Sequence, residues 1–255
     1  MSFIRIKVSL ILSLVTVSGY LMFNTPGTTL LYAVLASFFI YTGCYAYNNM
    51  TDTKEDLINN RKVSPLASSK LGYAIVLISG SLGMSFSLFL SIHAVFLSLM
   101  TVSLGVLYSS LKIKKYLVLK NVFTAVIVAA SFLIGASISQ LTAPIVMTYL
   151  LFFMFFFIGS VVSDLRDCEG DRAAGFRTIP VHIGYGRTKT VLFIALPVYS
   201  LFLYFAGLLV LLPFVAFISV GLYKDRPAIA HSCGGISFIF LAAWYAMQSL
   251  NSLAF

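Results

Sequence analysis

Leu71–Leu111 reads LGYAIVLISGSLGMSFSLFLSIHAVFLSLMTVSLGVLYSSL, 41 residues without one Asp, Glu, Lys or Arg. One crossing of a bilayer's hydrocarbon core takes about 20 predominantly apolar residues. The run is therefore two crossings and a turn, with the turn near Ser91–His93. The rest of the chain repeats this grammar. Of its 255 residues, 60% are hydrophobic and 10% charged, against about 25% charged in a soluble domain. The fold class expected is all-α, a polytopic membrane bundle.

The charges divide the chain into passes. Arg5 and Lys7 open it, and an apolar stretch then runs to Tyr47, broken only by the turn signal Asn24-Thr25-Pro26-Gly27. Charged residues return from Asn48 to Lys70. After the 71–111 pair come Lys112, Lys114, Lys115 and Lys120, then the uncharged run Asn121–Ser163, which breaks at Ser139–Pro144. Asp164–Lys189 is charged again. Thr190–Tyr223 is 34 uncharged residues with breaks marked by Gly207 and Pro213, short for two passes. Lys224–Arg226 precedes a last helix from about Ser232 to Leu250. Four hairpins plus one helix make nine transmembrane helices in a single domain, residues 1–255. This count puts all 17 Lys and Arg and all eight Asp and Glu on one side. By the positive-inside rule that side is cytoplasmic, with the N-terminus inside and the C-terminus outside. The first run, Val8–Phe23, lacks a small-residue cleavage site and reads as a membrane helix rather than a signal peptide.

Composition also removes several function classes. The net charge of +9 sits in loops beside apolar runs and forms no basic face on a soluble domain, so no nucleic-acid partner is expected. Cys44, Cys168 and Cys233 are far apart, and His93, His182 and His231 are scattered. They outline neither a disulfide framework nor a zinc site. No protein partner is indicated; the partners expected are the lipid bilayer and a small-molecule substrate.

Two acidic stretches stand out, N-N-M-T-D-T-K-E-D at Asn48–Asp56 and D-L-R-D-C-E-G-D at Asp164–Asp171. On a helix Asn48, Asp52 and Asp56 share one face at i, i+4 and i+8. Asp164, Asp167 and Asp171 share another at i, i+3 and i+7. Any single D-x-x-x-D is common in solvated loops. Two at equivalent ends of apolar runs, in a chain whose other acids are Glu55, Glu169 and Asp225, are a signal. Like charges at that spacing repel and call for cations between them. Mg²⁺ takes oxygen ligands, usually one or two carboxylates with water and phosphate oxygens completing the shell. Opposed acidic stripes suit two or more Mg²⁺ around a diphosphate, with Arg61, Lys62, Lys112, Lys120, Arg166, Arg172 and Arg177 available to clamp the same oxygens.

These residues resemble the UbiA superfamily of intramembrane prenyltransferases. Asn48-Asn49-x-x-Asp52-x-x-x-Asp56 is similar to its N-D-x-x-D-x-x-x-D motif, and Asp164-x-x-Asp167-x-x-x-Asp171 matches its D-x-x-D-x-x-x-D motif in full. Tyr108-S-S-L-Lys112 resembles the family's Y-x-x-x-K element, and Arg177-Thr178-Ile179-Pro180-Val181-x-x-Gly184 the T-L-P-V-x-x-G segment. The chain departs from the pattern at Asn49, which replaces an Asp, and at Asn60–Leu66, where Arg61 does not directly precede a proline.

The resemblance implies nine membrane helices and Mg²⁺-dependent ionisation of an allylic isoprenyl diphosphate, with prenyl transfer to an acceptor of unknown identity, aromatic or lipid-like. It implies that Asn48, Asp52, Asp56, Asp164, Asp167 and Asp171 hold the metals, the five aspartates being catalytic. Arg61, Tyr108, Lys112, Lys120 and Arg177 are then the expected diphosphate-binding residues. Lys112, Lys114 and Lys115 serve equally well as topology signals, and Lys112 stands apart only through its spacing to Tyr108. For the aromatic run Leu151–Phe157, packing is the better reading for most rings, with a prenyl tunnel wall as the alternative. Two other functions remain open: a terpene cyclase using the same ionisation without an acceptor, and, more remotely, an ion-coupled transporter. Against the transporter, no acid lies mid-membrane. A CDP-alcohol phosphotransferase is excluded because its D-G-x-x-A-R-type motif is missing.

Overall fold

The computed structural model describes residues 3–53, 57, 62–136, 138 and 141–253. Among them are ten α-helices and no strand: α1 (Ile6–Phe23), α2 (Thr28–Thr51), α3 (Lys70–Ser87), α4 (Ile92–Ser110), α5 (Leu119–Ala136), α6 (Ala143–Ala173), the short α7 (Ile179–Ile183), α8 (Tyr185–Phe205), α9 (Leu212–Tyr223) and α10 (Pro227–Leu253). The expected turns lie where chain punctuation puts them. Asn24–Gly27 joins α1 to α2. Ser91 caps α4, its side chain accepting from the Ala94 N–H. Gly207, with φ of 73°, ends α8, and Pro213 sits in the first turn of α9, so 190–223 is two helices. The last helix starts five residues earlier than expected, at Pro227, because proline at a first helical position costs no hydrogen bond.

Seven helices are long and apolar enough to cross a membrane: α1, α2, α4, α5, α6, α8 and α10. The other two expected passes fall short of that measure. α3 is diluted by three glycines and four serines, and α9 has only 12 residues.

The bundle is polar-flecked inside and apolar outside. Leu77, Ile92, Phe96 and Phe205 are exposed, whereas Ser9, Thr16, Ser37, Ser98 and Ser131 are fully buried. Apolar surface gains nothing by leaving lipid, so helices join through close packing and shared hydrogen bonds. Thr16 Oγ1 donates to the Ser131 carbonyl at 2.9 Å, Thr42 to Ser9 Oγ at 3.1 Å, and Tyr41 OH to the Ile127 carbonyl at 2.6 Å. α1 and α5 pack closely at glycines. A Cβ on Gly135 would lie 2.0 Å from the Thr16 carbonyl oxygen, and one on Gly19 2.3 Å from that of Phe132. Farther along the core, Phe132, Phe152, Phe155 and Phe156 close around Phe238 of α10, with centroids 4.6–5.8 Å apart for the stacked Phe132–Phe152 and Phe152–Phe238 pairs. Packing is thus the role of the Leu151–Phe157 rings at these positions.

Because no side-chain rotation relieves a Cβ pressed on backbone, Gly135→Ala should lower stability by roughly 1–3 kcal/mol. Thermal unfolding in detergent checks this, with Gly80→Ala, where a Cβ meets nothing within 4 Å, as the neutral comparison.

Candidate functional site

Both acidic stretches end at the same end of the bundle, but their helices do not pack side by side; α5 and the Lys112–Leu119 connection lie between α2 and α6. On the first stretch the helix is interrupted at Asp52, and Thr53 and Leu57 are helical again. α2 ends at Thr51, and Asp52 is its C-cap, its N–H donating to the Asn48 carbonyl at 3.0 Å. Asn48 and Asp52 still meet as an i, i+4 pair: Asn48 Nδ2 donates to Asp52 Oδ2 at 3.1 Å and to Ser109 Oγ at 3.4 Å. Asp56 and Arg61 lie outside the described residues.

Asn49, where the resembled motif has Asp, turns away from this pair. Its Oδ1 accepts from Arg5 at 2.8 Å and its Nδ2 donates to the Phe3 carbonyl at 2.6 Å. Arg5 also lies over the Tyr45 ring, 5.5 Å from its centroid. Asn49 therefore ties the N-terminal segment to the end of α2. An amide suits that task because it accepts and donates at once.

The second stretch stays helical to Ala173, as expected. α6 has 31 residues, about 46 Å, well beyond the ~30 Å hydrocarbon core, so its acidic last turns extend past the apolar layer. Asp164 is almost fully buried and Asp171 nearly so. Asp164 Oδ1 accepts from Lys120, and its Oδ2 from Asn121 Nδ2 at 3.0 Å, while Asn121 also reaches Ser160 Oγ at 3.0 Å. Asp167 is engaged by its neighbour Arg166 at 3.0 and 2.7 Å. Asp171 Oδ2 is buried without a hydrogen-bond partner. Burial raises the Asp171 pKa above that of an ordinary aspartate; nearby Asp164 and Asp167 push the same way, against Lys120.

The connection between the motifs is the element that sequence spacing underrated. Lys112, in the left-handed region at φ 53°, donates from Nζ to the Thr51 carbonyl at 2.6 Å, a cation on a helix C-terminus. Lys114, one of three lysines readable as topology signal, donates to Asp52 Oδ2 at 2.9 Å. Its ammonium also lies 5.2 Å from the centroid of Phe176, whose N–H donates to the Asp171 carbonyl at 2.9 Å. Tyr108 packs beneath, with Leu12, Tyr41 and Ile127. Arg177 is exposed and makes no ion pair with a described residue. Lys114, Ser109, Asn121 and Ser160 are the site residues that motif spacing missed; only the N-terminal position of Asn121 on α5, beside Lys120, hinted at one of them.

The sequence matches the UbiA prenyltransferase family over residues 9–223. The chain belongs to the UbiA prenyltransferase family. Together with its seven apolar spans, membership makes it a multi-pass membrane protein. It is 30% identical over 174 residues to a digeranylgeranylglyceryl phosphate synthase of Methanopyrus kandleri, covering 66% of this chain and 64% of the relative. It is 28% identical over 192 residues to the Methanocaldococcus jannaschii protein of the same name, covering 71% and 66%. The matches thus span a little under two thirds of these relatives' lengths. Among solved structures, a UbiA homolog from Archaeoglobus fulgidus bound to DMAPP and Mg²⁺ superposes with a TM-score of 0.77 at 17% identity, covering 98% and 99% of the two chains. At that identity the likeness is one of fold.

Among the described residues no three His, Cys, Asp or Glu side chains gather as a metal cage. Lysines stand on Asp52 and Asp164 instead. The donors nonetheless fit Mg²⁺, which takes one or two carboxylates at a time. Asn48 and Asp52 offer one set of oxygens, Asp164 and Asp171 another, and the orphaned Asp171 Oδ2 is a buried acceptor. Replacing that carboxylate by an isosteric amide removes the uncompensated charge. Asp171→Asn should therefore raise the melting temperature of metal-free protein, by ~1 kcal/mol of stability, and abolish any rise in melting temperature on adding Mg²⁺. Differential scanning fluorimetry with and without Mg²⁺ measures both.

Proposed function

We propose that this UbiA-family chain is an enzyme, a Mg²⁺-dependent intramembrane prenyltransferase that ionises an allylic isoprenyl diphosphate and passes the prenyl group to an acceptor. The observation that carries the reading is the meeting of two aspartate motifs and a lysine-bearing turn at one end of an otherwise apolar bundle. Such a site can hold a highly charged diphosphate at the membrane edge while its hydrocarbon tail lies among helices. We place the whole chain, 1–255, in one domain of nine membrane helices, with α3 and α9 completed by their neighbours. N-terminus and site are cytoplasmic and the C-terminus outside, since that arrangement keeps every charged loop on one side.

Asn48, Asp52 and Asp56 on one side and Asp164, Asp167 and Asp171 on the other would hold two or more Mg²⁺. The metal supplies charge neutralisation that makes diphosphate a stable leaving group. Around it the chain's own groups divide the work. Lys112 and Lys120 bind diphosphate oxygens, with Arg61 and Arg177 available from the loops. Tyr108 packs under the site, where its ring would offer a π face to the developing allylic cation. Asn121 and Ser160 fix the Asp164 carboxylate, and Asn48 and Ser109 steady Asp52. The apolar interior excludes water, which would otherwise capture the allylic cation.

The relatives are named for digeranylgeranylglyceryl phosphate, and membrane enclosure favours a lipid acceptor, so we infer a prenylated glyceryl phosphate as the acceptor class. The fold likeness to a structure holding DMAPP and Mg²⁺ supports the diphosphate half of the reading.

Purified protein in detergent with Mg²⁺ and C10, C15 or C20 prenyl diphosphates should release little diphosphate until a glyceryl phosphate lipid is supplied. Rapid release with a defined cyclic hydrocarbon and no acceptor would instead make it a cyclase. Asp52→Ala and Asp167→Ala should each lower turnover by a hundredfold or more while the protein elutes as folded. Wild-type turnover in either would remove that residue from the metal site.

A further inference from the structure

Lys114 has no part in the motifs by which this family is read, yet it touches the ends of both. Its ammonium bonds Asp52 Oδ2 at 2.9 Å, beside the Asn48 amide that donates to the same oxygen. Its other side faces the Phe176 ring at 5.2 Å. That ring is buried and anchored through its backbone to Asp171, the last acid of the second motif. The turn carrying Lys114 is itself fixed, by the left-handed Lys112 bonded to the end of α2 and by the buried Ile113. Of the chain's cations whose contacts are described, Lys114 lies between the two motif ends.

A carboxylate oxygen that already accepts an amide and an ammonium cannot also take a divalent ion in the same place. The ammonium and the metal repel, so a divalent ion bound at this oxygen displaces the lysine. Lysine is suited to leaving: its charge is compact and rides on a flexible four-carbon stem. Its alternative partner is the diphosphate, whose oxygens form stronger charge-assisted bonds than the carboxylate that the metal has taken. The Phe176 face holds the ammonium between the motifs during the change. Lys120 on Asp164 is built the same way on the other motif.

We propose that Lys114 is a further diphosphate-binding residue that works by exchange: it neutralises Asp52 before loading, then surrenders that carboxylate to the divalent cation and moves its ammonium to the diphosphate. The inference rests on the diphosphate reading above. It makes the lysine a competitor of free metal and an ally of the metal–diphosphate complex. A structural prop or a topology charge would not have these two effects with opposite signs.

The test is binding, read without turnover. Full-length protein in detergent is titrated with Mn²⁺ alone, and then with Mn²⁺ plus inorganic pyrophosphate, the bound ion being counted by electron paramagnetic resonance. In Lys114→Met, Mn²⁺ alone should bind about threefold tighter or better. Pyrophosphate in the presence of Mn²⁺ should bind about tenfold weaker. Lys114→Arg, which keeps a cation, should restore the pyrophosphate affinity to within a few-fold. Lys115→Met, an exposed neighbour, should move neither. Lys114→Gln serves as a second neutral variant if the Met protein does not fold. Unchanged affinities, or both weakening together, would overturn the exchange while leaving the diphosphate site standing. Failure of the wild-type protein to bind pyrophosphate with Mn²⁺ would overturn both.

Discussion

Acidic groups at the mouth of an apolar bundle are costly unless cations stand on them, and the arrangement of this end of the protein follows from that constraint. Burying a carboxylate without a partner costs far more than a surface ion pair returns. Asp164 is almost fully buried, and its two oxygens are taken by Lys120 and by Asn121. Asp52 has Lys114 and Asn48. Lys114 comes from the short connection between α4 and α5 and Lys120 from the first turn of α5, so this segment, rather than direct contact of the acidic helices, sets how far apart the motifs stand. Asp171, left without a partner on Oδ2, shows the cost that the others avoid.

The bundle beneath must hold that end steady with little help from a hydrophobic driving force. Glycines at the α1–α5 crossing and buried serines and threonines bring backbones close enough for carbonyl oxygens to accept from side chains of the next helix. The phenylalanine cluster around Phe238 packs the other half, between α5, α6 and α10. Steric fit in the membrane layer thus transmits to the charged end, where the last turns of α2 and α6 emerge. Asn49 joins in, tying Phe3 and Arg5 to α2 rather than adding an acid to the motif.

Membrane class, turn positions and the two motifs were all legible in the chain. Hydropathy and charge spacing are local properties, and Asn24–Gly27, Ser91 and Gly207 break helices wherever they are placed. The continuous helix through 164–173 was legible for the same reason, since an i, i+3, i+7 pattern needs only that one helix run on. The face from Asn48 to Asp52 was foreseen, but α2 ends at Thr51, and no residue there announces a stop as glycine or proline does. Lys114 was indistinguishable from Lys115 by spacing, although one touches an aspartate and the other faces outward.

What the sequence determined by itself, then, is that this is a helical membrane protein with two oxygen-rich motifs at its charged end and the family those motifs mark. Which lysine sits on which aspartate and that Asn49 faces the N-terminal segment were decided only by tertiary structure. The reason is geometric. Partner choice among equivalent cations depends on the path of a turn that includes a left-handed residue at Lys112, and on the separation of helices that do not pack side by side. Neither quantity is encoded in the spacing of residues along one element.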